Sequence, residues 1–157
     1  VSRSTFFNYF DSKSDLLWIE VDAGIDRLAA ELRTLPRCDD PIREVRRVML
    51  LVAAEFGSSR VPLALTEGEV MGTKEETQSS GLTRLARRAE VIAAFLARQT
   101  GQDPAGLTVR AAANALSGAA SAAWEVWAAD GIGCGPLSEY ISTAFDVVAT
   151  GVSRSVR

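Results

Sequence analysis

Apolar side chains return every three or four positions along almost the whole chain, and no stretch alternates with the period of a strand. From Leu16, Leu17 and Ile19 through Ile25, Leu28 and Leu32 to Leu35 they trace one stripe that stops at Pro36. That spacing predicts a single helix, and Ser12 with Asp15 three residues later forms a capping box at its start. In "RCDDPIREVRRVMLLVAAEF" Asp40 is an N-cap, Pro41 takes the first helical position and Gly57 is the expected stop. Residues 58–81 carry less signal: "VPLALTEGEVMG" predicts a short helix and "TKEETQSS" a polar turn. A helix from about Leu82 to Thr100 follows, with Leu85, Ile92, Phe95 and Leu96 inside and Gly101 as its end. Asp103 and Pro104 launch the next, which runs through an alanine-rich stretch to Trp127 and Asp130. "GIGCGP" breaks it, and "PLSEYISTAFDVVATGV" forms the last helix. The expected fold class is all-α.

A chain of 157 residues, 47% hydrophobic, has apolar material for one sizeable core. Its net charge of −3 excludes a broadly basic coat but leaves room for a small cationic patch. There is no histidine, which removes the commonest general base and the commonest transition-metal ligand together. Cys38 and Cys134 lie far apart, outside any C-x-x-C pattern, and fit a reducing cytoplasm better than a secreted disulfide scaffold. The longest uncharged run, between Arg110 and Glu125, is too short and too weakly apolar to span a bilayer. Glu67 and Glu69 offer carboxylates, but nothing near them orients a nucleophile. "GIGCG" follows a helix and lacks the Lys-Ser/Thr of a nucleotide loop. The expectation is a soluble cytoplasmic protein that is not an enzyme, with no catalytic residue, metal, cofactor or membrane partner.

The opening stretch "VSRSTFFNYFDSKSDLL" is chemically the most loaded. On a helix Phe6 and Phe10 lie one turn apart with Tyr9 beside them, and this greasy side asks for a partner helix. Arg3 with Phe7, and Ser4 with Asn8, fall on the opposite side. That second face suits a helix in a DNA major groove, where Arg and Asn read base edges and Phe touches a thymine methyl. Tyr9 and Lys13 sit where phosphates would be held. A plain amphipathic hairpin docked on its own domain is the competing reading.

Val1, Ser2, Thr5, Phe6, Tyr9, Phe10, Ser12, Lys13 and Leu16 stand in register with the end of a helix-turn-helix. The stretch closely resembles that of TetR-type transcriptional regulators. Within that family, "FFNYF", the following Ser12-Lys13 and "DLLW", with the later tryptophan pair, look most like regulators associated with the mycofactocin system. The resemblance implies two further helices ahead of Val1, on which Phe6 and Phe10 would pack, so the reading head is expected to be incomplete without them. Phe7 departs from the family's usual tyrosine and removes a hydroxyl from the reading face. The division implied is a partial helix-turn-helix head over 1–15 and a helical ligand-binding and dimerisation domain over 16–157. The DNA-binding candidates are Ser2, Arg3, Ser4, Thr5, Phe7, Asn8, Tyr9 and Lys13, with double-stranded DNA the partner of the full-length protein.

For the larger domain the ligand-binding candidates are Trp18, Phe56, Phe95, Asn114, Ser117, Ser121 and Trp124. Aromatic walls with few polar groups suit a small apolar or amphipathic ligand, and an acyl-type molecule is expected. Trp18, Trp124 and Trp127 are equally readable as core. Asn114, Ser117 and Ser121 share one stripe, readable as polar lining or as close helix packing, with packing favoured. Arg43, Arg46 and Arg47, with Arg84, Arg87 and Arg88, read as solvated faces pairing with Glu44 and Glu90, or as a seat for an anionic head group. The last two helices are expected to form a homodimer, through the stripe of Leu137, Tyr140, Ile141, Phe145, Val148 and Val152 and the small-residue face around Gly118. The function expected is a ligand-responsive repressor released from a palindromic operator by a small molecule. The alternative is a dimeric helical small-molecule-binding module without a DNA role.

Overall fold

The computed structural model describes residues 13–56, 74–131 and 135–155, and among them every regular element is a helix. α1 spans Lys13–Thr34, α2 Pro41–Ala53, α3 Lys74–Thr100, α4 Leu107–Asp130 and α5 Leu137–Ser155. The predicted boundaries hold at α1 and at the start of α2, where Asp40 Oδ1 accepts the Arg43 amide at 3.0 Å and Pro41 takes the first turn. Gly57 lies outside the described residues, and α2 has already ended at Ala53.

Two starts differ from expectation. α3 begins at Lys74 and not near Leu82, because Lys, Glu and Gln in "TKEETQSS" are strong helix formers whatever their polarity. Gly81 lies inside that helix, where a Cβ would stand 3.4 Å from Trp18 Cη2, so the glycine marks a close approach and not a stop. α4 begins at Leu107, after a turn of its own: Asp103 Oδ1 accepts the Ala105 amide at 2.9 Å and Asp103 O the Gly106 amide at 2.9 Å.

α4 packs most extensively on α5 and next on α3, while α1 lies across α3 and α2. The main core gathers Leu28, Leu32, Val45, Val48, Ile92, Leu96, Leu116 and Phe145 from five helices. Trp18, Val21 and Ile25 form a smaller cluster under the first half of α1. The C-terminal end of α1 is held by α3. Arg98 donates to the carbonyls of Leu32 at 2.5 Å and Arg33 at 3.1 Å, which α1 leaves without helical partners. Next to it Gln99 accepts the Cys38 amide and donates to Pro36 O, both at 3.0 Å, and so fixes the α1–α2 turn.

Most of the α5 stripe expected to meet a second copy is consumed inside the chain. Leu137, Ile141, Phe145 and Val152 are buried in the main core, while Tyr140 and Val148 are half-buried beside it. No helix among the described residues is long and apolar enough to cross a membrane.

Candidate functional site

A half-open cleft of about 370 Å³, counting its mouth, lies where the five helices converge. Val21, Gly24, Ile25 and Leu28 of α1 form one side, and Met49, Val52 and Ala53 of α2 with Phe56 beyond it form the next. α5 contributes Ile141 and α4 Trp124; among the described residues the single charged lining residue is Arg88 of α3. Gly24 has a steric role: a Cβ there would stand 3.3 Å from Phe56 Cζ. Phe56 meets Trp124 edge to face at 4.6 Å, and Trp124 meets the fully buried Trp127 the same way at 5.7 Å. The cleft wall is therefore the outer end of an aromatic ladder rooted in the core.

Arg88 is only 7% exposed. Its Nε donates to Ser117 Oγ at 3.1 Å, and its Nη2 to Ser117 O at 3.3 Å and Ser121 Oγ at 2.5 Å. Ser117 Oγ in turn donates to Leu85 O at 3.0 Å, so that hydroxyl bridges α3 and α4 as acceptor and donor at once. Nη1 donates to no group among the described residues, and no carboxylate among them pairs with this guanidinium. Burial pulls the Arg88 pKa down to about 10, still far above neutrality, so the guanidinium stays charged at neutral pH.

The sequence reading of the arginines is corrected in two ways. Arg88 is buried, not solvated, because its turn of α3 is covered by α4. The others mostly reach across helices instead of along one. Arg84 makes a two-pronged pair with Asp22, Nε to Oδ1 at 3.0 Å and Nη2 to Oδ2 at 2.7 Å, and lies 5.0 Å from the Trp18 ring. Arg87 pairs with Asp26 at 2.5 Å, and Arg46 joins α2 to α5 through Asp146 at 2.7 Å and Ser142 at 2.6 Å. Arg47 with Glu44, at 2.8 Å, is a local pair of the expected kind. Asp22→Asn is expected to cost about 1 kcal/mol in urea unfolding, since the Arg84 pair is half-shielded and bidentate.

Of the expected ligand residues, Phe56 and Trp124 line the cleft, and Ser117 and Ser121 hold its arginine. Trp18 is buried beside Arg84, away from the lining, with its Nε1 sealed and unpartnered. Phe95 is buried in the main core, and Asn114 lies on the exposed side of α4; neither reaches the cleft. Trp127 is core. The residue sequence reasoning undervalued is Arg88, whose signal was its spacing. Serines 29 and 33 positions away on another helix were not readable as its partners. Ser2, Arg3, Ser4, Thr5, Phe7, Asn8 and Tyr9 lie outside the described residues; Lys13 opens α1, with its side chain outside them.

Residues 39–153 match the family model described as the MftR C-terminal domain, one of the TetR C-terminal families. The chain belongs to the TetR family of transcriptional regulators. Among curated relatives it is 29% identical, over 154 residues, to a protein of Mycobacterium tuberculosis described as a mycofactocin biosynthesis transcriptional regulator, MftR. That match covers 98% of this chain and 76% of the relative. As a TetR-family regulator the chain is not an enzyme, and its all-α architecture is that of the family's C-terminal domain. The five-helix cleft described above lies within the matched segment for all but its α1 side.

Proposed function

We propose that this TetR-family protein is a cytoplasmic, dimeric, ligand-responsive repressor, released from a palindromic operator when a small amphipathic molecule enters the cleft between α1 and α2. The observation that carries this reading is the double use of α1. Val21, Gly24, Ile25 and Leu28 line the cleft, and Asp22 and Asp26, interleaved with them, clamp the same helix to α3. α1 also follows directly on the segment read as the recognition helix, so residues 1–15 serve as head and 16–157 as sensor. A ligand that wedges the cleft favours a different α1 position, and needs only tighter binding to the DNA-free state to act.

A second copy is supported by the outer stripe of α4. Ala111, Ala115, Gly118 and Ala122 recur at helical spacing on its exposed or half-exposed side, and a Cβ at Gly118 would meet nothing within 4 Å. Small residues there permit close helix approach. Two-fold pairing places two recognition helices about one DNA turn apart, to match a palindrome.

The test is fluorescence anisotropy of the full-length protein on its own upstream DNA at two salt concentrations. Tight, salt-sensitive binding is expected, weakened by about 1–3 kcal/mol on the specific site by Asn8→Ala. Absence of specific binding on both native and selected random DNA would leave the binding module without a DNA role.

A further inference from the structure

The cleft is apolar on nearly every side, yet one full positive charge lines it. Guanidinium has five N–H donors, and the protein satisfies those of Nε and Nη2 with Ser117 and Ser121. Nη1 is left with two N–H groups and no partner among the described residues. It is not sealed either: the sealed, partnerless side-chain atom among the described residues is Trp18 Nε1. Nearby carboxylates do not compete, since Asp22 and Asp26 are engaged by Arg84 and Arg87 on the α1 side of α3. Among the described residues Arg88 is thus a cation without a carboxylate, held by hydroxyls of α4 and buried beside the apolar cleft.

We propose that the cleft recognises an apolar monocarboxylic acid, its carboxylate taken by Nη1 of Arg88 and its hydrocarbon body laid between Phe56, Trp124, Val52 and Leu28. This rests on the ligand-cleft reading above and assigns the chemical class. Charge decides the class. A single guanidinium is neutralised by a monoanion, whereas a phosphate monoester would leave surplus negative charge among apolar walls. A neutral alcohol or ester would leave the buried cation unpaired.

The experiment uses straight-chain carboxylates of roughly four to ten carbons, the matching primary alcohols and the matching alkyl phosphates, followed by titration calorimetry and tryptophan quenching. The best acid is expected to bind at least about tenfold tighter than its alcohol, and Arg88→Met to remove that preference. Arg88→Lys, which keeps the charge but loses the fork, should fall between the two. Equal affinity for acid and alcohol would overturn the proposal. So would an unaltered acid preference in Arg88→Met, tighter binding of the phosphate, or no acid binding at about 10 mM, two-hundredfold weaker than a routine tens-of-micromolar contact. Anisotropy on operator DNA separates this from the regulatory reading. Alcohols that bind and release DNA as well as acids sink the acid class alone; acids that bind through Arg88 without releasing DNA sink the regulatory role alone.

Discussion

An Arg88→Met variant is expected to be more stable than the parent when no ligand is present, by about 1–3 kcal/mol, with a correspondingly higher Tm. The usual reason for caution with a buried charge is the partner left behind. Here no carboxylate is left behind among the described residues. Ser117 Oγ keeps its bond to Leu85 O, and Ser121 is half-exposed, so water can replace the guanidinium. Methionine fills most of the same volume with flexible apolar atoms. The gain has a defined pH behaviour. Burial sets the folded pKa at about 10, below arginine's ordinary value, so the folded state gives up the proton first. Stability therefore rises as pH climbs from about 10 toward that ordinary value, and the penalty is full and constant below about 10. The difference between parent and variant should then be the same at any pH from about 6 to 9. Saturating acid should narrow the difference, since the parent gains more from binding than the variant does. A variant less stable than the parent at every pH would mean that the arginine is a net structural tie between α3 and α4.

What the sequence made legible was periodic. The extent of α1 and the Asp40-Pro41 start of α2 depend on neighbours within one turn and match the structure; of the α1 stripe Ile25, Leu28 and Leu32 are buried, while Ile19 is exposed and Val21 takes the inward place. Errors came where a residue answers to a distant partner. Gly81, a poor helix former just ahead of the expected start near Leu82, lies inside α3, where its missing side chain admits Trp18 from α1. The stripe of Leu137, Ile141 and Phe145 was visible, yet spacing alone does not say whether a face meets its own chain or a copy. Aromaticity alone marks Phe56 and Trp124 as ligand residues. It marks Phe95 equally, yet Phe95 is buried in the core, because aromatic character is common to both environments. The arginines show the limit most clearly. Arg84, Arg87 and Arg88 lie within five positions, and a shift of one residue turns the side chain from the carboxylates of α1 to the hydroxyls of α4.

Trp127→Ala is expected to be the costliest single substitution among the cleft's supporting residues, about 3–5 kcal/mol in urea unfolding. Trp127 is fully buried, packs in the main core and donates its indole N–H to Gly135 O at 3.0 Å across the α4–α5 turn. Alanine leaves a cavity there and takes away that donor. Trp127→Phe should recover much of the packing but not the hydrogen bond, leaving a deficit of about 1–2 kcal/mol. Trp124→Ala removes an indole that is only half-buried and open on the cleft side, so it should cost less, about 1–2 kcal/mol. Ligand binding separates the two tryptophans by a different route. Trp124 is the wall itself, so its loss weakens binding directly. Trp127 acts through the edge-to-face contact that fixes the wall, so Trp127→Phe should keep binding where Trp127→Ala does not. Were Trp124→Ala the more destabilising of the two, the ladder would be anchored at its cleft end, and the cavity would be a product of the aromatic packing and not a site supported by it.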